Sequence, residues 1–514
     1  MKTLAFAAQM KELDRTAIEE WGIPSLELME RAAQAATEEA VKLLYDEAAA
    51  PRKRFSTAVF YGPGNNGGDG VAMARLLLEK GFFVKAYLVG NREKMTPDEL
   101  AMEEKLIAAG GRLIDFTPDA AEEKAFVEGC DLCVDALFGV GLCREVGGDF
   151  AQAIRWMNEA PCPVASCDIP SGVSADTGDI LGTAVRADLT VTFTCAKPGL
   201  YLGEGGPCAG RVVAADIGVP AELVEEQIVN RAGAVFLVEE VGRVLPRRDR
   251  NAHKGCFGKV FVLAGSVGYT GAPVLASKTA VRSGAGLVFL GVPKEIYPIA
   301  AVKCDEAMPY PLPDEYEKIL EKARSCDVAL IGPGLGRSPK TDTLVRFLLA
   351  DLEIPVVLDA DGINALAGHM DVLDRRKALT VLTPHDGEFQ RLTGCEIPIF
   401  DRLDRAKDFA AGHNCIMILK GHTTVTACPD GTAYLNRSGN PGMAKGGSGD
   451  VLAGLLAGLL GQKQLEGDPG RLCALGVHFH GLAGDRCGER LGEYGMTPSD
   501  MLEELPRVLK DHTL

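Results

Sequence analysis

Gly446-Gly447-Ser448-Gly449-Asp450 is the segment whose residue types and spacing carry the clearest chemistry. Successive glycines leave backbone N–H groups uncovered, and such amides can surround the oxygens of a transferring phosphate. Asp450 stands in the first turn of an expected helix from Gly449 to about Leu460, where the helix dipole favours the ionised carboxylate. A carboxylate beside an anion hole can take a hydroxyl proton during phosphoryl transfer. No G-x-x-x-x-G-K-[ST] sequence occurs in the chain, which excludes a P-loop as the phosphate binder.

Four more strand-end segments fit the same site. Lys420-Gly421-His422-Thr423-Thr424 is placed to hold nucleotide phosphates. Gly332-Pro333-Gly334-Leu335-Gly336 and Asp359-Ala360-Asp361-Gly362 end two further strand-like runs. Thr383-Pro384-His385-Asp386-Gly387-Glu388 sets an imidazole and a carboxylate at another, with His385 suited to orienting a substrate. His478-x-His480 lies in a helical stretch, where i,i+2 side chains diverge, so no metal is expected there.

The N-terminal half carries Gly62-Pro63-Gly64-Asn65-Asn66-Gly67-Gly68-Asp69-Gly70 between a strand and a helix expected from about Gly70 to Lys80. Its G-x-G-x-x-G suits a phosphate or ribose cradle; the plainer alternative is a tight turn capped by Asp69. A hydride-transfer dinucleotide site would place an acidic residue at the end of the second strand. That strand ends Val89-Gly90-Asn91, which argues against a dehydrogenase. Two later strands end in Asp135 and in Asp168-Ile169-Pro170-Ser171-Gly172. Parallel strands converge at their C-terminal ends, so Asp135, Asp168 and Ser171 are expected near the glycine loop. Their oxygens suit a hard cation, and Asp168 suits a general base.

The elements that must position these residues alternate strand with helix. An opening helix can align Met10, Leu13, Ile18 and Trp21 on one face, and Ser25 is placed to cap the next. STAVFYG, FVKAYLVG, DLCVDALFG, PVASCDI, ADLTVTFT and GRVVAADIGV read as strands of a first series. GKVFVLAGS, LVFLGVP, DVALIGPGLG, PVVLDADG, LTVLTPHDGE and CIMILKGHTTVTA form a second. The pattern pauses near residues 221–250, so two α/β domains are expected, with mostly parallel sheets covered by helices.

Composition agrees. A chain of 514 residues exceeds one ordinary core, and 60 glycines fit an α/β protein with many tight turns. The net charge of -17 argues against nucleic acid or an anionic membrane as partner. No apolar run reaches the roughly 18 residues of a membrane span, and the N-terminus reads as no signal peptide. The 15 cysteines are scattered. Cys130-x-x-Cys133 is a close pair without a partner pair, and buried reduced thiols are the expected reading.

Taken together, the motifs resemble one family, the bifunctional NAD(P)H-hydrate repair enzymes. The resemblance rests on LMERA, GPGNNGGDG, DALFGVGL and DIPSGV in the first half. In the second half it rests on HKGCFG, GPGLG, DADGINAL, TPHDGE, LKGHTTV and GMAKGGSGDVLAG. It implies an epimerase domain over residues 1–222 with a Rossmann-like three-layer αβα sandwich. It implies a ribokinase-like ADP-dependent dehydratase domain over residues 223–514. Residues Asn65, Asn66, Gly67, Gly68, Asp69, Gly139, Val140, Gly141, Leu142, Cys143, Arg144, Glu145 and Asp168 are implied to contact the hydrated nucleotide, NADHX or NADPHX. Asn66, Asp135 and Ser171 match potassium positions, and Asp168 the proton-transfer residue for C6. Ala272, Gly336, His385 and Asp450 match substrate positions of the dehydratase; Lys420, Gly421, His422, Thr423, Thr424 and Gly449 match adenine-nucleotide positions. Asp450 is then the base that activates the C6 hydroxyl toward ADP, with Mg2+ accompanying the nucleotide. The resemblance further implies a cytoplasmic homo-oligomer. Asp386 and Lys445 depart from the residues usual at their positions. Two other readings compete: a ribokinase-type small-metabolite kinase, and an N-terminal half that only binds nucleotide or a partner.

Overall fold

A computed structural model describes residues 1–47 and 54–514. Two compact units divide the chain, Lys2–Val235 and Phe236–Leu514. The division falls later than 222/223 because Leu223 and Ile228 are buried in the core of the first unit.

In the first unit, seven strands form an all-parallel sheet: β1 (Ser56–Tyr61), β2 (Phe83–Leu88), β3 (Leu113–Asp115), β4 (Leu132–Ala136), β5 (Val164–Cys167), β6 (Leu189–Phe193) and β7 (Arg211–Ala215). Their order is β3-β2-β1-β4-β5-β6-β7. Period-two alternation sends Val59, Tyr61, Val134 and Val191 into one apolar cluster and Ala58, Phe60, Tyr87 and Cys133 into another. Both faces are therefore buried, which makes the three-layer sandwich. The order reverses between β1 and β4, where a parallel sheet opens a crevice at its C-terminal edge.

Helices α1 (Ala7–Glu19), α2 (Ser25–Glu47), α3 (Asn65–Glu79) and α4 (Pro97–Ala108) supply the covering on the side of the crevice. Met10 and Leu13 of α1 are buried, but Ile18 and Trp21 are exposed; Thr16 and Ala17 complete the inner face instead. Ser25 is the first residue of α2 and not its cap, since the Pro24 carbonyl accepts from Leu28.

The second unit holds β8 (Val235–Val238), β9 (Lys259–Leu263), β10 (Leu287–Val292), β11 (Met308–Pro311), β12 (Val328–Ile331), β13 (Val356–Leu358), β14 (Thr380–Leu382), β15 (Ile416–Leu419), β16 (Thr424–Ala427) and β17 (Ala433–Asn436). They run in the order β8-β17-β16-β15-β14-β13-β12-β9-β10-β11. From β15 to β11 the pairing is parallel, and β15-β16-β17 is an antiparallel meander. Residues 420–423 are therefore the turn of a hairpin. Helices α5 (Gly271–Arg282), α6 (Asp386–Thr393), α7 (Ser448–Leu460), α8 (Pro469–Leu491) and α9 (Pro498–Asp511) matter most to the site. The run Val451 to Leu459 of α7 is buried on all sides, as an uninterrupted apolar helix must be. Among the described residues, no helix is long and apolar enough to cross a membrane.

Candidate active sites

In the first unit the glycine loop is shorter than the motif suggests. Helix α3 begins at Asn65, so Asn66, Gly67, Gly68 and Asp69 are helical residues. Gly67 is required by close approach: a Cβ there would stand 1.9 Å from the Gly62 carbonyl oxygen. Glu99 of α4 fixes the entry by accepting from the Gly64 amide at 2.8 Å. Burial lifts the Glu99 carboxyl to about 7, against the pull of that amide.

Asp168 follows β5 with φ 67, a left-handed conformation that turns its carboxylate over the sheet edge. Its Oδ1 accepts from Lys197 Nζ at 2.5 Å and from Thr192 Oγ1 at 3.2 Å; Oδ2 accepts from Val140 N at 3.2 Å. Lys197 is buried and also donates to Thr192 Oγ1 and the Phe193 carbonyl. Asp69 is buried nearby, and burial, then the charges of Asp168 and Asp14, raise its carboxyl well above the usual range. Burial lifts Asp14 to about 6, with Lys197 pulling down and Asp168 pushing up. The cluster thus sets a buried carboxyl that resists ionisation, Asp69, beside the lysine-bound Asp168.

These groups line a cavity of about 620 Å³. Of the expected contact residues, Asn65, Asn66, Gly67, Asp69, Gly139, Val140, Gly141, Leu142, Cys143, Arg144 and Asp168 line it, whereas Gly68 and Glu145 do not. Gly68 faces Met29 instead. Asp135 and Ser171 also lie outside the lining. Asp135 accepts from Ser166 Oγ and Ser171 N, both at 2.8 Å, and from Ser171 Oγ at 2.5 Å. Ser171 Oγ accepts from Phe138 N at 2.9 Å, so this buried pair ties the loop after β4 to the loop after β5. The Asn66 amide adjoins Gly139, and its buried oxygen and nitrogen have no partner among the described residues.

In the second unit, Gly447 caps α7 with φ 108, a conformation that favours glycine. Ser448 Oγ is buried at the same turn without a hydrogen-bond partner among the described residues. Burial first, then the Asp359 carboxylate, pushes the Asp450 carboxyl up to about 7, against the pull of Lys420. Lys420 Nζ lies 3.1 Å from Asp359 Oδ1 and 3.8 Å from Glu388 Oε2. Burial works against the lysine's charge, but Asp359, Glu388 and Asp450 together hold its pKa above the ordinary value. A Cβ on Gly449 would stand 3.4 Å from Lys420 Nζ, so the lysine borders the glycine turn.

His385 caps α6: its Nδ1 accepts from Gly387 N at 3.0 Å, and its backbone N–H donates to Glu388 Oε2 at 2.9 Å. Its ring is more than half exposed, with Nε2 3.5 Å from Glu388 Oε1. Asp386, the departure at this turn, pairs with Arg402, whose other nitrogen donates to the Lys420 carbonyl at 2.7 Å. The pair therefore ties the α6 turn to the 420–424 hairpin. Thr424 Oγ1 donates to the Gly421 carbonyl across that hairpin at 3.2 Å. Lys445, the second departure, is exposed, and its Nζ donates to the carbonyls of Glu493, Tyr494 and Met496. Gly336 N donates to Asp361 Oδ2 at 2.9 Å, and Ala272 packs against Gly334.

Asp14, Lys197, Glu99 and Arg402 are the residues that sequence patterns leave unmarked. His480 Nε2 lies 2.9 Å from the Ser448 carbonyl, beneath the turn, and burial lowers its pKa to about 4. It is neutral there and donates to that carbonyl. His478 meets Asn436 instead, so the two histidines do diverge.

The first unit is a doubly wound α/β domain with a pocket lined by buried carboxyl groups and a lysine. The second is an α/β domain with a glycine turn beside Asp450 and a buried lysine, so fold and sites are those of a two-site α/β enzyme. Residues 25–199 match the family described as "YjeF-related protein N-terminus", and residues 260–507 match "NAD(P)H-hydrate dehydratase". The bifunctional NAD(P)H-hydrate repair enzyme of Moorella thermoacetica is 40% identical over 521 residues, covering 99% of this chain and 97% of its own. That of Thermofilum pendens is 38% identical, covering 99% and 96%. Among solved structures, an ADP/ATP-dependent NAD(P)H-hydrate dehydratase from Bacillus subtilis, co-crystallised with ATP/Mg2+, is 32% identical over 53% of this chain and 99% of that one, with a TM-score of 0.46. The chain belongs to the bifunctional NAD(P)H-hydrate repair enzymes.

Proposed function

We propose that the first unit inverts C6 of hydrated NADH or NADPH and that the second dehydrates the (6S) form with ADP. The observation that carries this reading is the pairing of two separate carboxylate-lysine sites, one in each unit. In the first, Asp168, held at Oδ1 by Lys197, takes the proton of the C6 hydroxyl as the C6–N1 bond breaks to an open-chain aldehyde and passes it to N1; N1 then re-adds to the other face of the aldehyde and the proton returns to the oxygen. The buried Asp69 carboxyl, held well above the usual range, stands beside this exchange as a proton donor.

In the second unit, Asp450 takes the proton of the C6 hydroxyl, whose oxygen then attacks the terminal phosphate of ADP and releases AMP. The glycine turn and the buried Ser448 hydroxyl receive the phosphate oxygens, and Lys420 offsets their charge. The ring nitrogen's electron pair expels phosphate from C6, and loss of a ring proton restores the dihydronicotinamide. Phosphorylation converts a hydroxide leaving group into phosphate. Residues 420–424, with Gly449, border the nucleotide, and Ala272, Gly336 and His385 border the substrate.

Asn66, Asp135 and Ser171 fit a potassium ion in chemistry: the donors are oxygens with a single carboxylate, and the Asn66 amide lacks a partner. Such an ion would supply positive charge where the loops after β4 and β5 meet. For magnesium, Asp359 and Glu388 already engage Lys420. That fits an ion carried on the nucleotide phosphates and not caged by protein carboxylates; it neutralises charge on the transferring group.

The test is recovery of dihydronicotinamide absorbance from NADH hydrate, run with ADP and with ATP. Recovery without a lasting phosphoester is expected. A phosphoester that accumulates in place of NADH would establish the kinase reading.

A further inference from the structure

Three cysteines converge at the edge of the first unit's sheet opposite the cavity. Cys130 closes the helix Ala121–Gly129, Cys133 is the second residue of β4, and Cys162 lies in the loop that enters β5. Cys133 pairs in register with Val164, and its N–H donates to the Pro163 carbonyl at 3.0 Å. This pairing brings the loop with Cys162 against the start of β4.

The sulfurs form a nearly equilateral triangle: Cys130 to Cys133 is 3.8 Å, Cys130 to Cys162 is 3.6 Å, and Cys133 to Cys162 is 3.7 Å. Among the described residues, this is the one group of three or more His, Cys, Asp or Glu whose ligand atoms converge. A disulfide requires about 2.05 Å, and three equidistant sulfurs single out no pair for it. Thiolates at about 2.3 Å from a tetrahedral zinc stand about 3.8 Å from one another. The triangle therefore already has the dimensions of three corners of that tetrahedron. Cys130 and Cys133 are buried, while Cys162 is half-buried and gives an ion a way in.

We propose that Cys130, Cys133 and Cys162 form a binding site for one thiophilic divalent ion, zinc by geometry, with the fourth position left to water. Each thiol gives its proton to solvent as its sulfur–metal bond forms, three protons for each ion. None of the three lines the 620 Å³ cavity, so the site is a brace for β4 and β5 and not a part of the reaction.

The experiment uses the full chain, reduced and stripped of metal, titrated with Co2+ as a spectroscopic stand-in for Zn2+. One equivalent is expected to give sulfur-to-cobalt charge transfer and the visible bands of tetrahedral cobalt, both abolished by one equivalent of Zn2+. Cys162→Ser, the substitution at the least buried of the three, is expected to remove the charge-transfer band while thermal unfolding shows a folded chain. Cys256→Ser and Cys395→Ser are expected to keep it. Absence of a saturable band, or a band that survives Cys162→Ser in the folded variant, would overturn the site. A disulfide between two of the three in protein isolated without reductant or metal would overturn it as well.

Discussion

In the first unit the buried lysine touches the carboxylate proposed to do the chemistry; in the second it does not. Lys197 Nζ is 2.5 Å from Asp168, whereas Lys420 is held by Asp359 and Glu388 and reaches Asp450 only through space. The difference follows from what each reaction needs. Inversion returns the proton it takes, so a lysine-paired carboxylate beside the hard-to-ionise Asp69 serves both directions. Transfer to phosphate takes a proton once and then meets several negative oxygens. There a base near neutrality is useful, with the lysine kept for the anion.

The largest effect expected from this contrast is at Asp450. Asp450→Asn should lower dehydration by about 10²–10⁴-fold, the usual contribution of a positioned base, while nucleotide still binds. Single-turnover absorbance and a nucleotide titration check the two halves of that statement; unchanged turnover would remove Asp450 as the base. Asp168→Asn should lower epimerisation by about 10²-fold or more and leave dehydration of (6S) hydrate unaffected. A matching loss in both reactions would erase the distinction between the sites.

The pH dependence sharpens it further. With Asp450 lifted to about 7, the dehydration kcat/KM should rise with pH and level off above that value. Stability should run the other way. The folded-state pKa is raised, so the carboxyl favours folding below its ordinary range, and that advantage is lost as pH rises through about 7. Asp450→Asn should accordingly raise the Tm relative to the parent at pH 8 and lose that advantage near pH 4. An equal Tm difference at both pH values would contradict the assigned cause. The smallest effect is expected at Lys445→Ala, which loses three carbonyl contacts and costs about 1 kcal/mol of stability without raising the KM for ADP. A raised KM would return Lys445 to the phosphate site.

Much of both sites could be read in the sequence because parallel strands deliver their C-terminal turns to one edge. Asp135, Asp168, Lys420 and Asp359 were each marked by that position. Lys197 was not, since it stands beyond the end of β6 in a segment with no repeat or spacing to single it out. Asp14 lies on an amphipathic helix, where an acidic residue usually faces water. The start of α3 was misplaced because its glycines read as a turn; packing against Gly62 and Met29 explains them within the helix. Strands β3 and β11 escaped because they are short, half-exposed and carry no clean alternation. The third cysteine escaped because only strand pairing brings Cys162 to Cys130 and Cys133.

The central claim is that the two units handle the C6 proton independently, each with its own carboxylate. Its most direct test gives Asp168→Asn protein pure (6S) or pure (6R) hydrate, with ADP in excess, and follows the return of dihydronicotinamide absorbance. The expected result is repair of (6S) at the parent rate and of (6R) only as fast as uncatalysed inversion supplies (6S). Repair of (6R) at the parent rate, or equal slowing of both epimers, would contradict it.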